Sequence, residues 1–144
     1  MRLIDAEDII EYIVDRYKYS RKIVEVGVGK FPQIAVALAE KLPETEILVT
    51  DIKSHMLEQL PNSRIRTVVD DIISPNVRVY ECSDLIYSIR PPPELQHYLL
   101  RIAKIVRADL ILRLLTNEPL YIHHSKYEII NYKKAVLHLF KLKE

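Results

Sequence analysis

The 144-residue sequence predicts a three-layer α/β fold: a mainly parallel sheet in strand order 3-2-1-4-5, flanked by helices and extended at its fifth strand by a C-terminal antiparallel hairpin. Three observations predict it. Short apolar runs alternate with segments of helical periodicity over most of the chain. The only two glycines, Gly27 and Gly29, lie one residue apart between the first such run and the helix that follows it. Acidic residues, Asp51 and then Asp70 and Asp71, stand at the ends of the next two runs.

Each element has its own local reason. Leu3 to Tyr17 repeats Ala6, Ile9, Ile10, Ile13, Val14 and Tyr17 at helical spacing, with Asp5 as the expected N-cap and Asp8 three residues on. Lys22 to Val26 is a short apolar strand. From Pro32, the residues Ile34, Ala35, Leu38, Ala39 and Leu42 again recur every three or four positions until Pro43 stops the helix. Glu46 to Thr50 forms a second strand ending at Asp51, followed by a short helix around Ser54 to Leu60 and a third strand, Ile65 to Val69. Val77 to Tyr80 is too short to assign. Asp84 to Ile89 is a fourth strand, closed by Arg90 and the prolines at 91 to 93. Leu95, Leu99, Ile102, Ala103 and Val106 define the next helix, and Asp109 to Leu115 the fifth strand. After a loop containing Pro119, Glu128 to Tyr132 and Ala135 to Leu142 read as the antiparallel pair, and Thr116 to Lys126 is short for a crossover helix.

Composition narrows the function classes. The chain is 49% hydrophobic with a mean hydropathy of −0.02, enough apolar material for one core and too short for two ordinary domains, so residues 1–144 are expected to form one. The net charge is +1, but residues 1 to 72 carry 10 Lys and Arg against 13 Asp and Glu, and residues 73 to 144 carry 11 against 7. The basic second half permits a polyanionic partner without forming a strong basic stripe in the sequence. A single cysteine, Cys82, allows no internal disulfide and no metal pair. With an acidic N-terminus and no apolar run of membrane-spanning length, the expected location is cytoplasmic.

In an open α/β sheet the first strand-to-helix turn is the usual phosphate or cofactor loop, and glycine supplies the positive φ and the close backbone approach it needs. The dinucleotide fingerprint requires a third glycine where this chain has Pro32, and the nucleoside-triphosphate loop requires a Ser or Thr after Lys30, where Phe31 stands. What remains is Glu25-Val26-Gly27-Val28-Gly29, with acids closing the second and third strands. This pattern resembles the first motif of the class I S-adenosylmethionine-dependent methyltransferases, over residues 22 to 115. The resemblance implies a Rossmann-like fold and S-adenosylmethionine as cofactor. It also implies a binding set of Glu25, Gly27, Gly29, Asp51 and Asp70 or Asp71, with Asp51 on the ribose hydroxyls and one of the later pair at the adenine amine. Many members carry a small residue where this chain has Phe31. VEVGVGKFP together with DLIYSIRPPPEL is also similar, over nearly the full length, to a small archaeal family of uncharacterised Rossmann-like proteins.

The resemblance places chemistry at the end of the fourth strand, where related enzymes acting on exocyclic amines carry Asp, Asn or Ser before Pro-Pro and an aromatic. Here the stretch is Ser88-Ile89-Arg90-Pro91-Pro92-Pro93, so Ser88 and Arg90 are the catalytic candidates, although Arg90 stays protonated and serves only as an anion clamp. Tyr87 is expected to pack. His123 and His124 read as loop residues without a completing ligand set, His97 as surface, and no metal is expected. Because the core carries almost no substrate-binding extension, the expected substrate is large, an RNA or a protein. The alternative is a non-catalytic nucleotide- or cofactor-binding regulatory module on the same fold.

Overall fold

A computed structural model describes residues 3–28, 32–58, 60 and 64–143. Five strands run parallel: β1 (Lys22–Val26), β2 (Glu46–Asp51), β3 (Ile65–Val69), β4 (Leu85–Ile89) and β5 (Asp109–Arg113). The hairpin strands β6 (Glu128–Tyr132) and β7 (Ala135–Phe140) complete one sheet in the order β3-β2-β1-β4-β5-β7-β6, with β7 antiparallel to both β5 and β6. The predicted order and hairpin are therefore those observed. Strand order reverses between β1 and β4, which pair directly through Ile23–Leu85, Val24–Ile86 and Glu25–Tyr87, so the switch point lies at their carboxyl ends.

Every residue of β1 and β4 is buried, as strands covered on both faces must be. One face of the sheet carries Ile23, Val49, Tyr87 and Ile111 against helices α1 (Ala6–Tyr17) and α2 (Gln33–Lys41). The short α3 (Ser54–Leu57) adds Leu57 to this layer. The other face carries Val24, Leu48, Ile86 and Leu110 against Leu99 and Ile102 of α5 (Gln96–Val106) and Tyr80 of the single-turn α4 (Val77–Tyr80). Asn76 starts α4 by accepting a hydrogen bond from the Arg78 amide, a local cap that the sequence reading left unassigned. The strand and helix boundaries differ from expectation by a few residues: α3 ends at Leu57, β5 at Arg113 and β7 at Phe140.

The start of α1 corrects a sequence expectation. Asp5 makes no capping bond; both of its oxygens instead take the Arg113 guanidinium, Nε at 3.0 Å and Nη2 at 2.9 Å. Asp8 accepts from the Lys134 amide in the β6–β7 turn, and Glu11 accepts from Tyr132 and Lys133. Asp5, Asp8 and Glu11 thus dock α1 onto the hairpin and the end of β5. No helix among the described residues is long and apolar enough to cross a membrane.

Candidate functional site

The carboxyl ends of β1, β2, β3 and β4 converge on a cleft of about 310 Å³. Gly27 forms its floor. Its amide donates to the Thr50 carbonyl at 2.7 Å, tying the loop to β2, and its φ of +76° lies in the region that side-chain-bearing residues avoid. A Cβ built on Gly27 would meet nothing within 4 Å, so the glycine is required by its backbone angle, and its backbone stands open to the cleft. Gly29, the second glycine of the motif, lies outside the described residues. Pro32, with a φ of −73°, precedes the first turn of α2, and its carbonyl accepts the Val36 amide.

Asp51, Asp70 and Asp71 all line this cleft, but their carboxylates are differently engaged. Asp51 closes β2 and accepts the Lys53 amide on Oδ1 at 2.9 Å, an Asx turn that aims the group while Oδ2 has no hydrogen-bond donor among the described residues. Asp70 has both oxygens occupied, Oδ1 by the Asn76 amide at 3.0 Å and Oδ2 by the Tyr80 hydroxyl at 2.7 Å. Asp71 accepts the Ile73 amide on Oδ1 and, among the described residues, no donor on Oδ2. Of the adjacent pair, Asp71 is therefore the one with an oxygen to offer, and Asp70 holds the turn that presents it. Tyr80 is fully buried, and burial together with its bond to Asp70 raises its hydroxyl pKa above the ordinary range. It is a positioning residue that sequence reasoning missed, since nothing in VRVYE distinguishes it from packing.

Glu25 does not line the cleft. Strand alternation turns it to the α1–α2 face, where it is fully buried and its Oε1 accepts the Tyr87 hydroxyl at 2.8 Å. Its Oε2 has no hydrogen-bond partner among the described residues. Burial pushes its carboxyl up to about 8, although the Tyr87 bond pulls the other way; Asp51 adds to the rise. Tyr87, expected only to pack, is thus the polar partner of the first-motif acid directly beneath the loop.

The two fourth-strand candidates also part company. Ser88 is buried against the cleft, and its hydroxyl donates to the Val26 carbonyl at 2.8 Å, bracing β4 to β1. Arg90 lines the cleft, half-buried, with a φ of +51° and its amide donating to the Arg113 carbonyl. A left-handed arginine at a strand end is strained, and strain of this kind concentrates where a side chain must be aimed. The cleft walls are Ile52, Ile72, Ile73, Ile89, Leu95 and Leu99, an apolar slot between Asp51 and Asp71 on one side and Arg90 on the other. An apolar residue following each strand-end acid, Ile52 after Asp51 and Ile72 after Asp71, was the signal for these walls in the sequence. His123, His124, His97 and Cys82 are exposed and lie outside the cleft, and no group of three or more His, Cys, Asp or Glu among the described residues is arranged to hold a metal. A wider groove of about 1000 Å³ lies between α1 and α2, over Ile10, Val14 and Ala37, away from every strand end.

The chain belongs to the uncharacterised protein family UPF0146, whose model matches residues 6–142. It is 36% identical over 133 residues to a UPF0146 protein of Archaeoglobus fulgidus, covering 92% of each chain. It is 35% identical over 120 residues to one of Methanocaldococcus jannaschii, covering 83% of this chain and 82% of the relative. Among solved structures it resembles a Methanococcus maripaludis protein proposed to be an S-adenosylmethionine-dependent methyltransferase. That match has a TM-score of 0.69 at 19% identity and covers 95% of this chain and 84% of the other. It also resembles precorrin-6Y C5,15-methyltransferase of Geobacter metallireducens, with a TM-score of 0.68 at 8% identity over 100% and 94%. At such identities the likeness is one of fold: the sheet and its layers are methyltransferase-like.

Proposed function

We propose that this UPF0146 chain binds S-adenosylmethionine in the cleft above Gly27 and acts as a methyltransferase on a large substrate, in the cytoplasm. The observation that carries the reading is the pairing of an open, positive-φ glycine with a half-engaged carboxylate on the adjacent strand. Gly27 is bonded to Thr50, the residue before Asp51, so the loop and the acid are held as one unit. Such a pair suits a nucleoside: backbone for close approach, and a carboxylate for ribose hydroxyls. Asp51 would hold the ribose, Asp71 the adenine amine, and Ile52 and Ile72 the base between apolar surfaces. Arg90 supplies a planar fork for a carboxylate at the opposite end of the slot. The cleft volume, about 310 Å³, falls within the range of small-molecule sites.

When bound, the cofactor supplies an electrophilic methyl group on a sulfonium. Methyl transfer is an in-line displacement, so the protein's work is to align donor and acceptor and to keep water out. The fully buried β1 and β4 give a rigid floor for that alignment, and the Ser88 bond to Val26 fixes their spacing at the switch point. The paired prolines, Pro91 and Pro92, line the slot beside Arg90 and hold the segment leading to α5 without exposing an amide donor.

One observation favours a second reading. The hydroxyl of Ser88 donates its proton to the backbone and Arg90 has no basic function, so neither deprotonates an acceptor. This suits a non-catalytic module that binds the same cofactor and signals its presence. Calorimetry with S-adenosylmethionine, S-adenosylhomocysteine and NAD tests the shared part: the first two should bind and NAD should not. Transfer of labelled methyl groups to archaeal RNA or protein then separates the enzyme from the module. NAD binding with no adenosyl-ligand binding would overturn both.

A further inference from the structure

Beside the cleft, α5 carries an unbroken basic face. From Gln96 to Arg107 there is no acidic residue, and the exposed positions include His97, Arg101, Lys104 and Arg107. His97, Arg101 and Lys104 follow one another at spacings of four and three, which puts them on one line of the helix. Glu94, one turn before His97, is the acid that ends this line toward the helix start.

The segment from Pro119 to Tyr127 lies along the same helix. Gln96, fully buried, accepts the Tyr121 amide at 2.7 Å and donates to the Pro119 carbonyl, while Lys104 Nζ, eight residues on, donates to Ser125 Oγ at 2.8 Å. Two ties, one at each end, make the loop run beside α5 for about 12 Å. It too contains no acid, and it exposes Tyr121, His123, His124, Lys126 and Tyr127. The sequence spreads Arg101, Lys104, Arg107 and Lys126 over residues 101 to 126; the fold gathers them into one strip.

The strip is joined to the cleft. Arg101 Nη2 donates to the carbonyl of Ile73, a wall of the slot, at 2.9 Å, and Leu95 and Leu99 of the same helical segment line the slot directly. Arg101 also stacks its guanidinium over the Tyr98 ring, 4.9 Å from the centroid. Cations following a track, with aromatic faces interleaved, are the features that bind a single strand: phosphates meet Lys and Arg, and bases stack on rings and guanidinium planes. Tyr127 already packs against His138 and Phe140, whereas an acidic protein would use the cations and give the exposed Tyr121 ring no base to stack on.

Resting on the adenosyl-cofactor reading of the cleft, we infer that the α5 strip, centred on Arg101 and Lys104, binds the phosphate backbone of a single-stranded nucleic acid and leads it to that cleft. RNA and DNA share this chemistry, and the experiment compares them.

Fluorescence anisotropy of labelled 12-nucleotide RNA and DNA strands of one sequence, read across a salt series, is the test. The full-length protein should bind at low salt. The Arg101→Glu/Lys104→Glu double variant should bind roughly tenfold or more weakly, with a slope of log affinity against log salt shallower by about 1.4, two contacts on a single strand. The Arg101→Lys/Lys104→Arg variant should retain binding, and thermal unfolding checks that all forms fold. Tighter RNA binding assigns RNA, and tighter DNA binding assigns DNA. No binding by the wild type, equal binding by the charge-reversed variant, or equal competition by polyglutamate would overturn the inference. Calorimetry of the same variants with S-adenosylmethionine keeps the two readings apart, since cofactor binding without strand binding removes only the strip, and the reverse removes the cofactor site.

Discussion

The Tyr87 hydroxyl donates to Glu25 Oε1 at 2.8 Å on the α1–α2 face of the sheet, where both side chains are fully buried. The pair bridges the two strands that flank the switch point, and burial raises the Glu25 carboxyl from its ordinary 4.5 to about 8. Between these values the folded protein holds a proton that the unfolded chain releases. Stability should therefore be full below about 4.5 and fall as pH rises toward 8, with a limiting slope of about 1.4 kcal/mol per pH unit. Denaturant unfolding across that range should show this decline in the wild type and a flatter profile in Glu25→Gln. A wild-type profile unaffected by the substitution would place the proton elsewhere.

Arg113 and Asp5 form the buried ion pair that anchors the start of α1 to the end of β5, with Arg113 also donating from Nη1 to the Leu114 carbonyl. Removing one partner strands a buried charge. Asp5→Ala should lower unfolding free energy by about 3 to 5 kcal/mol, measured by urea denaturation. A loss under about 1 kcal/mol, the range of exposed pairs, would show that the pair is open to solvent.

Tyr80→Phe should loosen Asp70 and, with it, the turn that presents Asp71. The expected outcome is a modest loss of stability, about 1 kcal/mol for the hydrogen bond, together with weaker adenosyl-ligand binding. Unchanged ligand affinity would separate the α4 turn from the site.

Arg90→Lys should weaken S-adenosylmethionine binding, because an ammonium lacks the planar two-bond fork, and moderate salt should change that loss little. Arg90→Gly removes the fork while accommodating the φ of +51°, so it should bind still less without a large fall in Tm. If both variants bind as wild type does, Arg90 serves the β4 turn alone.

The layer order was legible in the sequence because strand runs and helical stripes obey local periodicities, and the hairpin because only Lys133 and Lys134 separate its two runs. The site was legible as far as residue types at strand ends: Gly27, Asp51, Asp70, Asp71 and Arg90 do meet at one cleft. What stayed hidden was which atoms are already engaged. Asp70 is held by Tyr80, Ser88 by Val26 and Glu25 by Tyr87, and none of these contacts joins neighbours in sequence. Asp5 was misread for the same reason, since a cap is a local inference and Arg113 is 108 residues away.

In the proposed function Asp51, beside Gly27, holds the ribose of an adenosyl cofactor. Titration calorimetry of S-adenosylmethionine into wild type and Asp51→Ala, with thermal unfolding to confirm that both fold, tests it most directly. The expected result is measurable binding by the wild type and a loss of about 1.5 to 3 kcal/mol in the variant, the range for hydrogen bonds to a charged group. Equal affinities, or no binding by the folded wild type, would contradict it.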